Sequence, residues 1–159
     1  MLFELRLNIL EKYVDEFLVC EANYTHAGEK KNLNFDINNF KDFKHKINYV
    51  AVETEPDNLT DTKKFDEKNN SLFRLNAQKR ILHQREAIFK EIKKKNSNDW
   101  IIYSDSDEIP NLEFYDLKAC KKKVVLFNQK LFYYKFNLCL PDYKWFGSKA
   151  CRVKDLSSI

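Results

Sequence analysis

The stretch Trp100-Ile101-Ile102-Tyr103-Ser104-Asp105-Ser106-Asp107-Glu108-Ile109-Pro110 decides how the chain is read. Trp100 to Tyr103 are aromatic or β-branched, a composition that favours a strand. The run stops in three carboxylates, Asp105, Asp107 and Glu108, and a proline closes it. Crowded like charges raise one another's pKa unless a cation or donors compensate. A hard divalent ion with oxygen ligands resolves that conflict, and α/β sheets bind ligands beyond the carboxyl ends of their strands. The stretch therefore predicts a metal site for a phosphate-bearing substrate. Asp, Ser and Glu also make turns and helix caps, so a solvated turn stands as the alternative.

Upstream, the spacing predicts a helix over 71–95, with Ala77, Ile81, Ile88 and Ile92 as its buried stripe and Arg74, Gln78 and Arg85 on the same face. The strand after it spans roughly 17 Å, at about 3.3 Å per residue. Climbing that height along the helix takes about 11 residues at roughly 1.5 Å each. Arg85 is thereby expected level with Asp105, either as a fork for phosphate or as a structural ion-pair partner.

Phe17-Leu18-Val19-Cys20 reads as an inner parallel strand ending at Glu21, and Ile47 to Val52 as another ending at Glu53. With Asp105 these acids are expected along one sheet edge, the pattern of an α/β binding site. Met1 to Val14 reads as an amphipathic helix that buries Leu2, Leu5, Ile9 and Tyr13 with Leu10 and Val14, and exposes Arg6, Asn8, Glu11 and Lys12. A polar loop is expected over 22–28, a short helix over 38–45 and a loop over 55–70. Beyond Pro110, a helix is expected over 111–118, then strands over 124–127 and 131–138 forming a hairpin. An aromatic loop over 140–147 follows, carrying Pro141, Trp145 and Gly147, then a strand over 149–153.

The 159 residues suit one domain with a real core, since 43% are hydrophobic and 14% aromatic. The sequence has two glycines and no GxGxxG or GxxxxGK pattern, which argues against a Gly-rich phosphate loop. The net charge of +4 sits partly in lysine runs, 93–95 and 121–123, that read as solvated turns, so nucleic acid is not expected as a partner. Cys20, Cys120, Cys139 and Cys151 lack zinc spacing, and Cys20 and Cys139 read as buried apolar thiols. No apolar run approaches membrane-spanning length and no signal peptide opens the chain, so a cytoplasmic setting is expected; Asn23, Asn58 and Asn69 begin N-x-S/T triplets, which carry little weight there.

Several pieces together resemble glycosyltransferase family 17, the family of β-1,4-mannosyl-glycoprotein β-1,4-N-acetylglucosaminyltransferase. They are Phe3-Glu4-Leu5-Arg6-Leu7-Asn8, Val19-Cys20-Glu21-Ala22-Asn23-Tyr24-Thr25-His26-Ala27-Gly28, Gln84-Arg85, Ser104 to Pro110, and Trp145-Phe146-Gly147. The resemblance implies a nucleotide-diphospho-sugar transferase (GT-A-like) three-layer α/β fold with a twisted mixed sheet. It implies a UDP-sugar donor, UDP-N-acetylglucosamine, a glycan acceptor and inversion. A divalent ion, manganese or else magnesium, would sit on Asp105 and Asp107. Glu21, Asn23, His26, Arg85, Asp105 and Trp145 would contact the sugar nucleotide, with Asp107 and Glu108 catalytic and Glu108 a candidate general base. Family members carry sequence before Leu2 and after Ile159, so a shortened domain is expected: a fragment, a minimal homologue or a decayed copy. Eukaryotic members are anchored in the Golgi membrane; here peripheral membrane contact is what stays open. The competing readings are a sugar-nucleotide-binding relic without turnover and a metal-dependent phosphohydrolase, for which His26, His45 and His83 show no metal spacing.

Overall fold

The structure, a computed structural model, describes residues 2–62, 70–135 and 137–157. It is a mixed α/β chain of small sheets whose residues fall into two compact units. One unit takes Glu16–Lys94; the other takes Met1–Asp15 and Lys95–Ser157.

In the Glu16–Lys94 unit, β1 (Phe17–Ala22) pairs in parallel with β2 (Ile47–Val52), in a register running from Phe17 opposite Ile47 to Ala22 opposite Val52. The parallel pairing follows the expectation, but among the described residues the sheet has two strands, so β1 is not an inner strand. Glu21 lies inside β1 rather than beyond it, because the strand runs on to Ala22. The crossover carries a 3₁₀ segment, Ile37–Lys46, opened by Asp36, whose side chain accepts from the Asn38 N–H, and broken at Phe40. Phe35 stacks between Phe40 and Tyr49, at 5.4 and 4.7 Å between ring centres.

The helix α2 (Asn70–Ile92) packs on both strands. Ala22, Tyr24 and Val52 form the buried cluster there, with Cys20 and Ala87 against it. Gln84 donates to the Cys20 carbonyl (3.1 Å), and the Cys20 thiol points at the Gln84 carbonyl (3.7 Å). Ile92 is buried, but Ala77, Ile81 and Ile88 are only half-buried and Arg74 and Gln78 are exposed. The most buried position of the helix's first half is Asn76. Its amide accepts from the Thr60 N–H (3.0 Å) and donates to the Thr60 carbonyl (2.8 Å), as a neighbouring strand would. The loop expected over 55–70 is thus tied down at Thr60; its stretch over 63–69, with Asn69, lies outside the described residues.

In the other unit, β7 (Lys149–Arg152) is the centre of an antiparallel sheet, flanked by β3 (Trp100–Tyr103) and β4 (Val124–Leu126). Trp100 pairs with Arg152 and Tyr103 with Lys149. β3 therefore belongs to a different sheet from β1 and β2, and Glu21, Glu53 and Asp105 do not line one sheet edge.

The expected 124–138 hairpin does not form. β4 pairs with β7, while β5 (Gln129–Phe132) pairs with β6 (Cys139–Trp145), which occupies the stretch read as a loop. β5 stops early because Tyr134 takes a left-handed conformation, φ 62°, which ends a strand. The ribbon tolerates Pro141, since among the described residues it has two strands and each keeps an unpaired edge. β6 is exposed throughout, so Cys139 is not a buried thiol.

The helix expected over 111–118 is replaced by turns. The Asn111 side chain accepts from the Glu113 N–H and the Asp116 side chain from the Lys118 N–H, local bonds that compete with a helix. After β7, a 3₁₀ turn spans Val153–Asp155.

The first helix, α1 (Leu2–Leu10), buries Leu10 as expected but not the rest of the expected stripe. Leu7 and Leu10 are buried, whereas Leu2, Leu5, Ile9 and Tyr13 are among the exposed hydrophobics. A helix with leucine on nearly every side offers two apolar stripes of equal merit. The stripe through Leu7 and Leu10 wins, and it carries Arg6 to the half-buried side.

Candidate functional site

The turn after β3 is built by its own residues. The Glu108 N–H donates to the Asp105 carbonyl (3.1 Å), and the Glu108 carboxylate reaches back to the Asp105 N–H (3.0 Å). This reciprocal pair is a β-turn closed in capping-box fashion, and it puts Ser106 and Asp107 at the tip. The other Glu108 oxygen accepts from the indole N–H of Trp145 (2.9 Å). Gly147 leaves room for that bond: a Cβ there would run into the Glu108 carboxylate and the Trp145 nitrogen.

Arg6 fixes the same turn from α1. Its guanidinium donates to the carbonyls of Asp105 (3.2 Å) and Glu108 and to the Ser104 hydroxyl (2.5 Å). Burial holds the Arg6 pKa below its ordinary value, partly offset by Glu108, Asp107 and Asp105. Sequence reasoning put Arg6 on the solvent face; the signal it passed over is the spacing from Arg6 to Leu10, which places both on one helical face.

With the backbone and Glu108 so engaged, the carboxylates of Asp105 and Asp107 stay exposed and form no hydrogen bond or salt bridge among the described residues. Trp145 is brought to this turn by its bond to Glu108, and its ring stacks with Tyr143 at 6.5 Å between centres. Four of the expected site residues, Asp105, Asp107, Glu108 and Trp145, thus come together. Among the described residues no three His, Cys, Asp or Glu side chains gather as a metal-ligating group. The donor set is two hard carboxylates on a turn closed by reciprocal hydrogen bonds. That suits an ion that takes one or two carboxylates and completes its shell with water and phosphate oxygens.

Glu21, Asn23, His26 and Arg85 lie in the Glu16–Lys94 unit. The Glu21 carboxylate is saturated. It accepts from Lys31 (2.6 Å), the N–H groups of Asn34 and Phe35 (3.0 Å each), the Asn34 amide (3.3 Å) and the Tyr49 hydroxyl (3.3 Å). Burial works against its charge, but these donors, Lys31 first, hold its pKa below the ordinary carboxylate value. Burial first, and the Glu21 charge second, push the Tyr49 hydroxyl pKa up.

Asn23 joins the loop to β2 through its N–H to the Val52 carbonyl (3.0 Å), and its side chain makes no hydrogen bond among the described residues. His26 is exposed; its carbonyl accepts from Arg80 (3.3 Å). Arg80, unremarked in the sequence, pairs with Glu55 (2.5 Å) and lies against Gly28, whose φ of 94° and lack of a Cβ admit the guanidinium. Arg85 is half-buried on α2. The expected alignment of Arg85 with Asp105 is a property of neither unit alone.

Among the described residues no helix is long and apolar enough to cross a membrane. No curated protein and no solved structure matches the chain at a significant level. The family model of glycosyltransferase family 17 matches residues 1–155, which include Arg6, the turn from Ser104 to Pro110 and Trp145, and the chain therefore belongs to glycosyltransferase family 17.

Proposed function

We propose that the chain transfers N-acetylglucosamine, or a related hexose, from a UDP-sugar to a hydroxyl of a glycan acceptor with inversion, on a GT-A-like fold. The observation that carries this reading is the turn after β3. The backbone groups of Asp105 and Glu108 and both Glu108 carboxylate oxygens are engaged, while the exposed carboxylates of Asp105 and Asp107 form no bond among the described residues.

Asp105 and Asp107 would hold a divalent ion, manganese or magnesium, together with the donor diphosphate. When bound, the ion supplies electrostatic stabilisation of the departing nucleoside diphosphate. The residues of the chain do the positioning. Arg6 and Glu108 keep the two carboxylates in place before donor arrives, so little reorganisation is left for the reaction. Because both Glu108 oxygens are occupied, we assign Glu108 the role of a positioning residue. The Trp145 ring, partly exposed beside the turn, is the surface on which a sugar ring would pack.

The test is calorimetric titration of UDP-N-acetylglucosamine into the protein with and without manganese, for the wild type and Asp107→Asn, followed by a transfer assay with labelled donor. Manganese-dependent binding that Asp107→Asn abolishes is the expected result. Binding without manganese, or binding that Asp107→Asn leaves intact, would remove the carboxylates from the donor site. Binding without transfer to any glycan acceptor would make the chain a sugar-nucleotide-binding relic.

A further inference from the structure

We infer that the chain carries a second anion site, for a phosphate-bearing group, at the end of the β3–β7–β4 sheet opposite the acidic turn. A cleft of about 630 Å³ opens there, lined by Lys118, Lys121, Lys122, Lys123, Arg152 and Lys154. Asp155 is the acid on its wall.

The register places it. Arg152 pairs with Trp100 at the start of β3, whereas the acidic turn follows Tyr103 at the strand's end. The pairs are three residues apart, roughly 10 Å along the strand. The cleft and the acidic turn thus lie at opposite ends of β3.

Two of the cations are built in. Arg152 donates to the carbonyls of Asn98 (3.3 Å) and Cys120 (3.4 Å), and its guanidinium lies over the Trp100 ring at 5.0 Å. Lys154 donates to the Asn98 side chain (2.8 Å). The Asn98 and Trp100 contacts fix one wall. The four remaining lysines are exposed and form no ion pair among the described residues. Six cations against one acid leave the cleft with a formal excess of +5 (6 − 1). Like charges gathered round a concavity repel one another and raise the local concentration of anions. A phosphate-bearing group satisfies several ammonium groups at once through charge-assisted bonds.

Inorganic pyrophosphate is the probe, titrated into the protein without added metal and followed by calorimetry. Vesicles of phosphatidylcholine with and without phosphatidylglycerol test by co-sedimentation whether the phosphate is a lipid headgroup. The triple variant Lys121→Gln/Lys122→Gln/Lys123→Gln changes only exposed side chains, so its fold is expected intact by circular dichroism. Pyrophosphate binding that weakens about tenfold in the triple variant, the order expected for three partly solvated charges, and persists in Asp107→Asn supports a soluble phosphate ligand. Sedimentation with the anionic vesicles alone, lost in the triple variant, supports the lipid headgroup. Binding to neither probe, binding indifferent to the triple variant, or pyrophosphate binding lost in Asp107→Asn instead would overturn the inference.

Discussion

Glu21 in β1 and the Asp105–Asp107 pair after β3 look alike as sequence, acids where an apolar run gives out, and the fold treats them oppositely. Glu21 is surrounded by donors from Lys31, Asn34, Phe35 and Tyr49. Asp105 and Asp107 receive none among the described residues, because Arg6 and Glu108 bond the turn's backbone and leave its carboxylates alone. A carboxylate whose oxygens are filled by the protein holds architecture together. One held rigid but left unfilled is available to a ligand. Glu108 shows both principles at once, since its saturation keeps its neighbours open.

The sharpest way to break this contrast is to remove charge from the open side. Asp107→Asn is expected to lower transfer by about 10²–10³-fold, the scale of losing one preorganised electrostatic contact to the reacting group. Its unfolding free energy from urea titration should stay within about 0.5 kcal/mol of the wild type, as for a surface substitution. A large stability loss with activity kept would make Asp107 a structural residue and erase the distinction.

The opposite substitution should do the opposite. Glu21→Ala leaves the N–H groups of Asn34 and Phe35 and the Lys31 ammonium without their acceptor. Losing bonds to a charged acceptor costs about 2–3 kcal/mol, which for a chain of this size lowers the melting temperature by roughly 4–12 °C. Thermal unfolding followed by circular dichroism measures it. A melting temperature unchanged from the wild type would mean the donors find other partners.

Arg6 tests how the open side is kept open. Arg6→Lys retains the charge but has one nitrogen where the guanidinium forks to Ser104, Asp105 and Glu108. A loss of about 1–2 kcal/mol is expected, since at least one turn carbonyl loses its donor. Transfer should fall further than that loss explains, because the carboxylates are then less well placed. Donor titration of the folded variant separates the two effects: weakened manganese-dependent binding is the expected outcome, and wild-type binding would show that Glu108 alone holds the turn.

Much of this was legible in the chain and some of it was not. β2 falls on Ile47–Val52 as its β-branched run predicts, and β3 on Trp100–Tyr103. Turn and ligand site, posed as alternatives for Asp105 to Glu108, are compatible, because the turn uses Glu108 and backbone groups while the ligand reading needs the aspartates. What could not be read is pairing. Asn128-Gln129-Lys130 looks like a hairpin link, yet β4 finds β7 and β5 finds β6, a choice made by strands distant in sequence. The face of α1 was undecidable because leucines occupy both candidate stripes. Arg6 reads as solvent-facing on an amphipathic helix, and Arg80 is passed over beside Arg74 and Arg85. Only the fold shows that Gly28 makes room for one guanidinium and that the turn carbonyls recruit the other.

The smallest effect is one of pH, and it tests whether Glu21 works as a charge. Its pKa in the folded chain is lowered from the ordinary 4.5, against the pull of burial, by Lys31 and the Asn34 and Phe35 N–H groups. A depressed carboxylate stabilises the folded state fully above the unfolded value and loses that contribution as pH falls through the folded one. The stability gap between wild type and Glu21→Gln, measured by urea unfolding, is therefore expected to be widest near neutrality. It should narrow as the pH drops below 4.5. Glutamine keeps one acceptor oxygen in place, so what the titration removes is the charge-dependent part of the latch. A gap that holds constant across this range would mean that the donors around Glu21 serve a neutral acceptor equally well. Saturation alone, and not charge, would then be what separates Glu21 from the aspartates of the open turn.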